Sequence, residues 1–185
     1  MNEAFLIDGG VNYDILAWPQ ERKPERRVLA RVMSYEYLWH NIREVGGAYG
    51  TRDADPRRGG GLLHLPRAPT WPKATRRLPR ARRSWPRAAT PEKDLTDSIV
   101  GTVSEMDKPM KPCAEAKDLD RRYFCGITDE MLAADRRALC GVNEAALKAM
   151  AADLGKAAEH GTRVAFGSKE AVEAAKELFD RVEML

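Results

Sequence analysis

The feature that most constrains the fold of this 185-residue chain is the stretch from Arg52 to Ala88. It holds six of the eleven prolines and two of the four tryptophans, Trp71 and Trp85, with Arg-Arg pairs beginning at 57, 76 and 82. A proline every few residues removes backbone donors and fixes φ, so neither a long helix nor an interior strand is expected there. No apolar period of 2 or 3.6 survives in it. The chain therefore reads in three parts: 1–51, an irregular or disordered Arg/Pro-rich segment 52–88, and 89–185.

Charge follows the same division. Arg52 to Arg87 carries eleven Lys/Arg against two Asp, a local +9, while the whole chain is only +3, which leaves −6 for the remainder. A basic insert sits in an acidic protein, and the overall pI of 8.8 describes neither part.

The flanking parts carry ordinary folding signals. Residues Ala4 to Trp18 are rich in β-branched and aromatic types around Gly9-Gly10, which predicts strands. Pro24 opens a helix in which Val28, Val32, Tyr35, Trp39 and Ile42 recur at spacings of four and three, and Gly46-Gly47 ends it. Ala48 to Thr51 reads as the start of a strand. Thr90 and Pro91 are set to begin a helix bearing Leu95, Ile99, Val103 and Met106 on one side. Further helices are expected from Cys113 to Cys125, from a Thr128 cap to Leu139, and from an Asn143 cap to about Glu159. Thr162 to Phe166 reads as a strand, and Ser168 as the cap of a last helix reaching the C-terminus. That order predicts an α+β domain.

Cys113, Cys125 and Cys140 are odd in number and lack C-x-x-C spacing, which argues against a disulfide framework or zinc knuckle. The N-terminus shows no basic region followed by an apolar core, and no apolar run nears the roughly 18 residues of a membrane span. A soluble, intracellular chain is expected: cytoplasmic if bacterial, in an organelle matrix if eukaryotic.

The segment from Tyr37 to Gly50, Tyr-Leu-Trp-His-Asn-Ile-Arg-Glu-Val-Gly-Gly-Ala-Tyr-Gly, resembles the presequence-protease branch of the pitrilysin/insulinase superfamily of zinc metallopeptidases. There, a helix with an L-W-x-x-[IV]-R pattern runs into G-G-A-Y-G. Gly10 to Tyr13, and the Asp-Lys-Pro and Pro-x-x-x-Lys elements between Thr102 and Thr128, support the likeness, which covers about 1–51 and 89–185. It implies an incomplete pitrilysin-like C-terminal domain, an antiparallel sheet packed with helices.

The resemblance also implies a function. Such enzymes close two halves around an unfolded peptide, with zinc held in the first half by H-x-x-E-H and a further glutamate. The last domain reaches across with an arginine and a tyrosine, here Arg43 and Tyr49, to bind substrate and steady the tetrahedral intermediate. A guanidinium grips a carbonyl or carboxylate in a fixed fork, and a phenol can donate a hydrogen bond to a developing oxyanion. Judged by residue type alone, an arginine in a last helical turn usually compensates the helix dipole, and a strand tyrosine usually fills a core. His40, His64 and His160, separated by 24 and 96 residues, form no zinc motif. The expectation is a fragment without its own zinc, inactive alone, whose partners are the zinc-bearing N-terminal half and peptide, with no membrane partner.

In the family, core strands with a Y-R-D-P element follow G-G-A-Y-G, where this chain has its Arg/Pro tract. Back-translating Leu63 to Pro69 and advancing one base permits Phe-Thr-Tyr-Arg-Glu-Pro, so an out-of-frame segment from about Arg52 to Arg87 is expected. The rival readings are a nucleic-acid-binding arm, with arginines on phosphates and tryptophans stacked on bases, and a product without function. The acidic remainder of the chain disfavours the nucleic-acid reading.

Overall fold

The computed structural model describes residues 1–19, 21–34, 52–53, 60–65 and 92–185. Chain order among them is β1 (Glu3–Leu6), β2 (Tyr13–Pro19), α1 (Arg26–Val32), β3 (Arg52–Asp53), β4 (Gly60–Leu65), α2 (Glu92–Ser104), α3 (Pro112–Phe124), α4 (Asp129–Cys140), α5 (Glu144–Glu159), β5 (Thr162–Gly167), α6 (Lys169–Glu173), a 3₁₀ turn (Lys176–Leu178) and β6 (Arg181–Met184). The architecture is α+β, as expected.

The described strands form one sheet in the order β3-β4-β2-β5-β1-β6. It is antiparallel from β3 through β5 and parallel on both sides of β1. The crossover by α6 and the 3₁₀ turn between β5 and β6 returns β6 in the direction of β5, and the two flank β1 in the same sense.

Alternation along β2 sets the two faces. Asp14, Leu16 and Trp18 are buried, whereas Tyr13, Ile15 and Ala17 are half-buried. Leu16 and Trp18 join Ala4, Ala165, Val172 and Ala175 in one core, between the sheet and α6. A second core is helical: Val28, Leu29 and Val32 of α1 meet Leu95 of α2, Leu139 of α4, and Leu147, Met150 and Ala151 of α5. Met33 and Leu154 touch both cores and join them. The predicted stripe holds on α2 for Leu95, Ile99 and Val103, and Met106, in the turn after the helix ends at Ser104, packs against the same core.

Local chemistry starts three helices where the sequence places them. Thr128 Oγ1 accepts from Met131 N–H at 3.3 Å, Asn143 Oδ1 from Ala146 N–H at 2.9 Å, and Ser168 Oγ from Ala171 N–H at 3.3 Å. Gly9, between β1 and β2, has φ +132°, a conformation side chains rarely adopt.

Two expectations need correction. Within 52–88, Arg52–Asp53 and Gly60–Leu65 are strands, and β4 pairs with β2 over six residues from Asp14↔Leu65 to Pro19↔Gly60. The prolines spare this stretch: none lies between Pro56 and Pro66, so β4 keeps every ladder donor. The rest of the tract, the Thr90 cap, and the helix and strand signals over 35–51 lie outside the described residues.

The last helix also stops at Glu173 and does not reach the C-terminus. Ala175 leaves helical geometry (φ −134°, ψ 22°), and main-chain bonds from Asp180 and Arg181 N–H to Asn2 O draw the end of the chain onto β1 as an edge strand.

Candidate functional site

Arg43 and Tyr49 both lie outside the described residues, and only the elements on either side of them can be placed. On one side α1 is anchored by Val28, Leu29 and Val32, which are 0%, 2% and 1% exposed. On the other side β3 begins three residues after Tyr49, with Arg52 opposite His64 and Asp53 opposite Leu63 on β4.

The sheet interior holds an ion pair that the sequence did not announce. Asp14 on β2 is 1% exposed, and its Oδ1 lies 3.6 Å from Arg163 Nε on β5, whose side chain is largely covered. Burial pulls the Arg163 guanidinium below its ordinary value, while the charge of Asp14 acts to raise it. A spacing of two places Asp14 on the face of Leu16 and Trp18, but its burial and the cation that meets it depend on the β2–β5 register, where Leu16 stands opposite Arg163.

Beside this pair the end of β5 is closely fitted. Asn12, 5% exposed, accepts a hydrogen bond from Ser168 N–H at 3.1 Å through its Oδ1. Asn2 does the same at the start of β5, accepting from Arg163 N–H at 2.9 Å. These side chains fix the two ends of β5.

The sequence carries no H-x-x-E-H zinc motif. Its three histidines are far apart in sequence, His40 lies outside the described residues, and His160 is exposed at the end of α5. Among the described residues no three His, Cys, Asp or Glu side chains group as metal ligands. Cys113, Cys125 and Cys140 are each exposed and unbridged. No helix among the described residues is long and apolar enough to cross a membrane.

Comparison with known proteins bears on the whole of this arrangement. The family model of the PreP C-terminal domain matches residues 2–164. Protein HypA of Clostridium perfringens is 21% identical over 186 residues, spanning 98% of this chain and 19% of that protein. The mitochondrial presequence protease of Danio rerio is 34% identical over 110 residues, or 58% of this chain and 10% of that protein. The chain thus spans less than a fifth of the length of these curated relatives. Among solved structures, the peptidase M16 inactive domain from Pseudomonas fluorescens superposes with a TM-score of 0.63 at 13% identity, covering 91% of this chain and 44% of that one. At that identity the likeness speaks for the fold, and the family-model match speaks for descent. The chain belongs to the PreP C-terminal domain family.

Proposed function

We propose that this chain is the substrate-contacting C-terminal part of a metallopeptidase that degrades unfolded peptides, and that it is inactive without a zinc-bearing N-terminal half. The observation that carries the reading is the family-model match over residues 2–164. In this reading Arg43 holds a peptide carbonyl or carboxylate in its guanidinium fork. Tyr49 donates its phenolic hydrogen bond to the oxyanion that develops as the scissile carbonyl becomes tetrahedral. The N-terminal half supplies the metal, and the present residues bind and orient the peptide.

The test is complementation. The chain is mixed with the N-terminal remainder of the Danio rerio relative, and cleavage of a short unfolded peptide is followed. Turnover is expected in the mixture and not from the chain alone. Tyr49→Phe should then lower kcat by about 10²–10³-fold, the cost of one oxyanion donor, and Arg43→Ala should act mainly on KM. A mixture that never exceeds the N-terminal half alone overturns the proposal, as does turnover by the isolated chain.

We propose further that the stretch from about Arg52 to Arg87 is translated out of frame. The one-base shift permits Phe at position 63 and Tyr at position 65, two strong strand formers. Sequencing the transcript decides it: a shifted frame that yields no strand-forming residues on both sides of Pro66 removes the idea.

A further inference from the structure

Among the described residues, the sheet ends on β6. All four residues of that strand are exposed, Val182 at 37% and Met184 at 81%. Its inner side is taken. Arg181 N–H donates to Asn2 O at 3.3 Å, and Leu185 N–H donates to Leu6 O at 3.2 Å. Main-chain groups alternate from side to side along a strand, so the N–H and C=O of Val182 and Met184 face away from β1. Such a row is a template for another strand.

Edges of this kind are commonly blunted by proline, by a bulge or by lysines. β6 has no proline or lysine, and it pairs with β1 in unbroken register from Arg181 to Met184. Its two charges are of opposite sign. Arg181 and Glu183, two residues apart, share one face and pair with each other, and Arg181 Nη1 also lies 3.6 Å from Glu3 Oε1.

The order of these charges selects the occupant. An antiparallel partner strand has to set its outward amides against those of Val182 and Met184, which leaves few registers. With Val182 opposite Val182 of a second copy, those two residues exchange both main-chain hydrogen bonds. Arg181 of each copy then stands opposite Glu183 of the other, at the positions where facing side chains lie closest. Both cross-strand pairs are attractive. Shifting to Val182 opposite Met184 sets Glu183 against Glu183, which is repulsive. The strand is thus self-complementary about a two-fold axis through Val182, as an isologous dimer requires. We infer that β6 is a homodimerisation edge, joining two copies of this chain by antiparallel pairing of Arg181–Met184. This contact goes beyond the peptidase reading and does not depend on it.

A four-residue pairing is small beside a standard interface, so the dimer is expected to be transient and concentration-dependent. Sedimentation velocity on the full chain, with concentration raised from micromolar toward millimolar, should show a monomer–dimer equilibrium. Glu183→Arg turns both cross-strand pairs into Arg against Arg and should weaken it about tenfold or more. Mixing Glu183→Arg with Arg181→Glu puts opposite charges face to face again, so a heterodimer should form about as tightly as the unaltered dimer. Val182→Pro removes only an outward N–H and should abolish pairing while the melting temperature stays within a few degrees. A chain that remains monomeric throughout overturns the inference, as does a dimer that neither Glu183→Arg nor Val182→Pro weakens. A monomeric chain that instead binds an unrelated extended peptide, with Val182→Pro abolishing that binding, makes the edge a peptide site and also overturns it.

Discussion

Asn12 Oδ1 lies 2.5 Å from the point that a β-carbon on Gly167 would occupy, and from there it accepts the Ser168 N–H. The loop before β2 and the junction of β5 with α6 are therefore fitted to one another. Gly167→Ala is expected to destabilise by about 1–3 kcal/mol, the usual penalty of overpacking. Asn12→Ala clears that space but leaves Ser168 N–H without its acceptor, so the double variant should lose less than the sum of the two singles. Urea unfolding of all four proteins checks it, and strict additivity contradicts the fitted contact.

Two leucines separate the packed from the open parts of the chain. Leu29, 2% exposed among Val28, Leu139 and Leu147, should cost about 2–5 kcal/mol when replaced by Ala. Leu119→Ala, on the uncovered helix, should stay within about 0.5 kcal/mol. Equal losses in thermal or chemical unfolding would show that α3 is packed in solution.

The Asp14–Arg163 pair predicts an asymmetry. Arg163→Ala leaves Asp14 charged in the sheet interior and should cost about 3 kcal/mol. Replacing both residues by apolar ones of similar volume, Asp14→Leu with Arg163→Met, should cost much less or nothing. Comparable losses for the single and double variants would mean that the pair contributes by geometry that packing cannot replace.

Acid acts on α3 through Asp118. The hydrogen bond from Arg121, and then the charges of Arg121 and Arg122, hold its carboxyl below the ordinary carboxylate value. A depressed folded value means that the contribution is present above about pH 3.9, the unfolded value. It is lost as pH falls through the lower folded one. Helix signal from residues 112–124, followed by NMR from pH 6 to 2, should decline at the acid end. In Asp118→Asn that helix should be weaker at neutral pH and flatter in acid. An identical acid profile in the variant contradicts this assignment.

Much of the fold was legible where the causes are local. Thr128, Asn143 and Ser168 each bond to an amide three residues ahead, so the helix starts could be read from residue type and spacing. The stripe on α2 and the strands around Gly9 were legible for the same reason: period and glycine placement express local geometry. Of the candidate site, the sequence names Arg43 and Tyr49 through family likeness, and the described residues fix only the elements on either side of them.

What tertiary structure alone decided lies in the sheet. Gly60 to Leu65 reads Gly-Gly-Leu-Leu-His-Leu, without the sustained alternation that marks a strand; it is one because β2 presents a ladder of backbone groups to it. Val172, Ala175 and Phe179 continue a helical spacing toward Val182, yet Arg181 to Met184 extends because Asn2 and β1 accept its amides. Caps and periodicity are carried by residues a few positions apart, and a sequence contains them whole. Strand pairing joins residues as distant in the chain as Glu3 and Arg181, and the chain must fold before those partners meet.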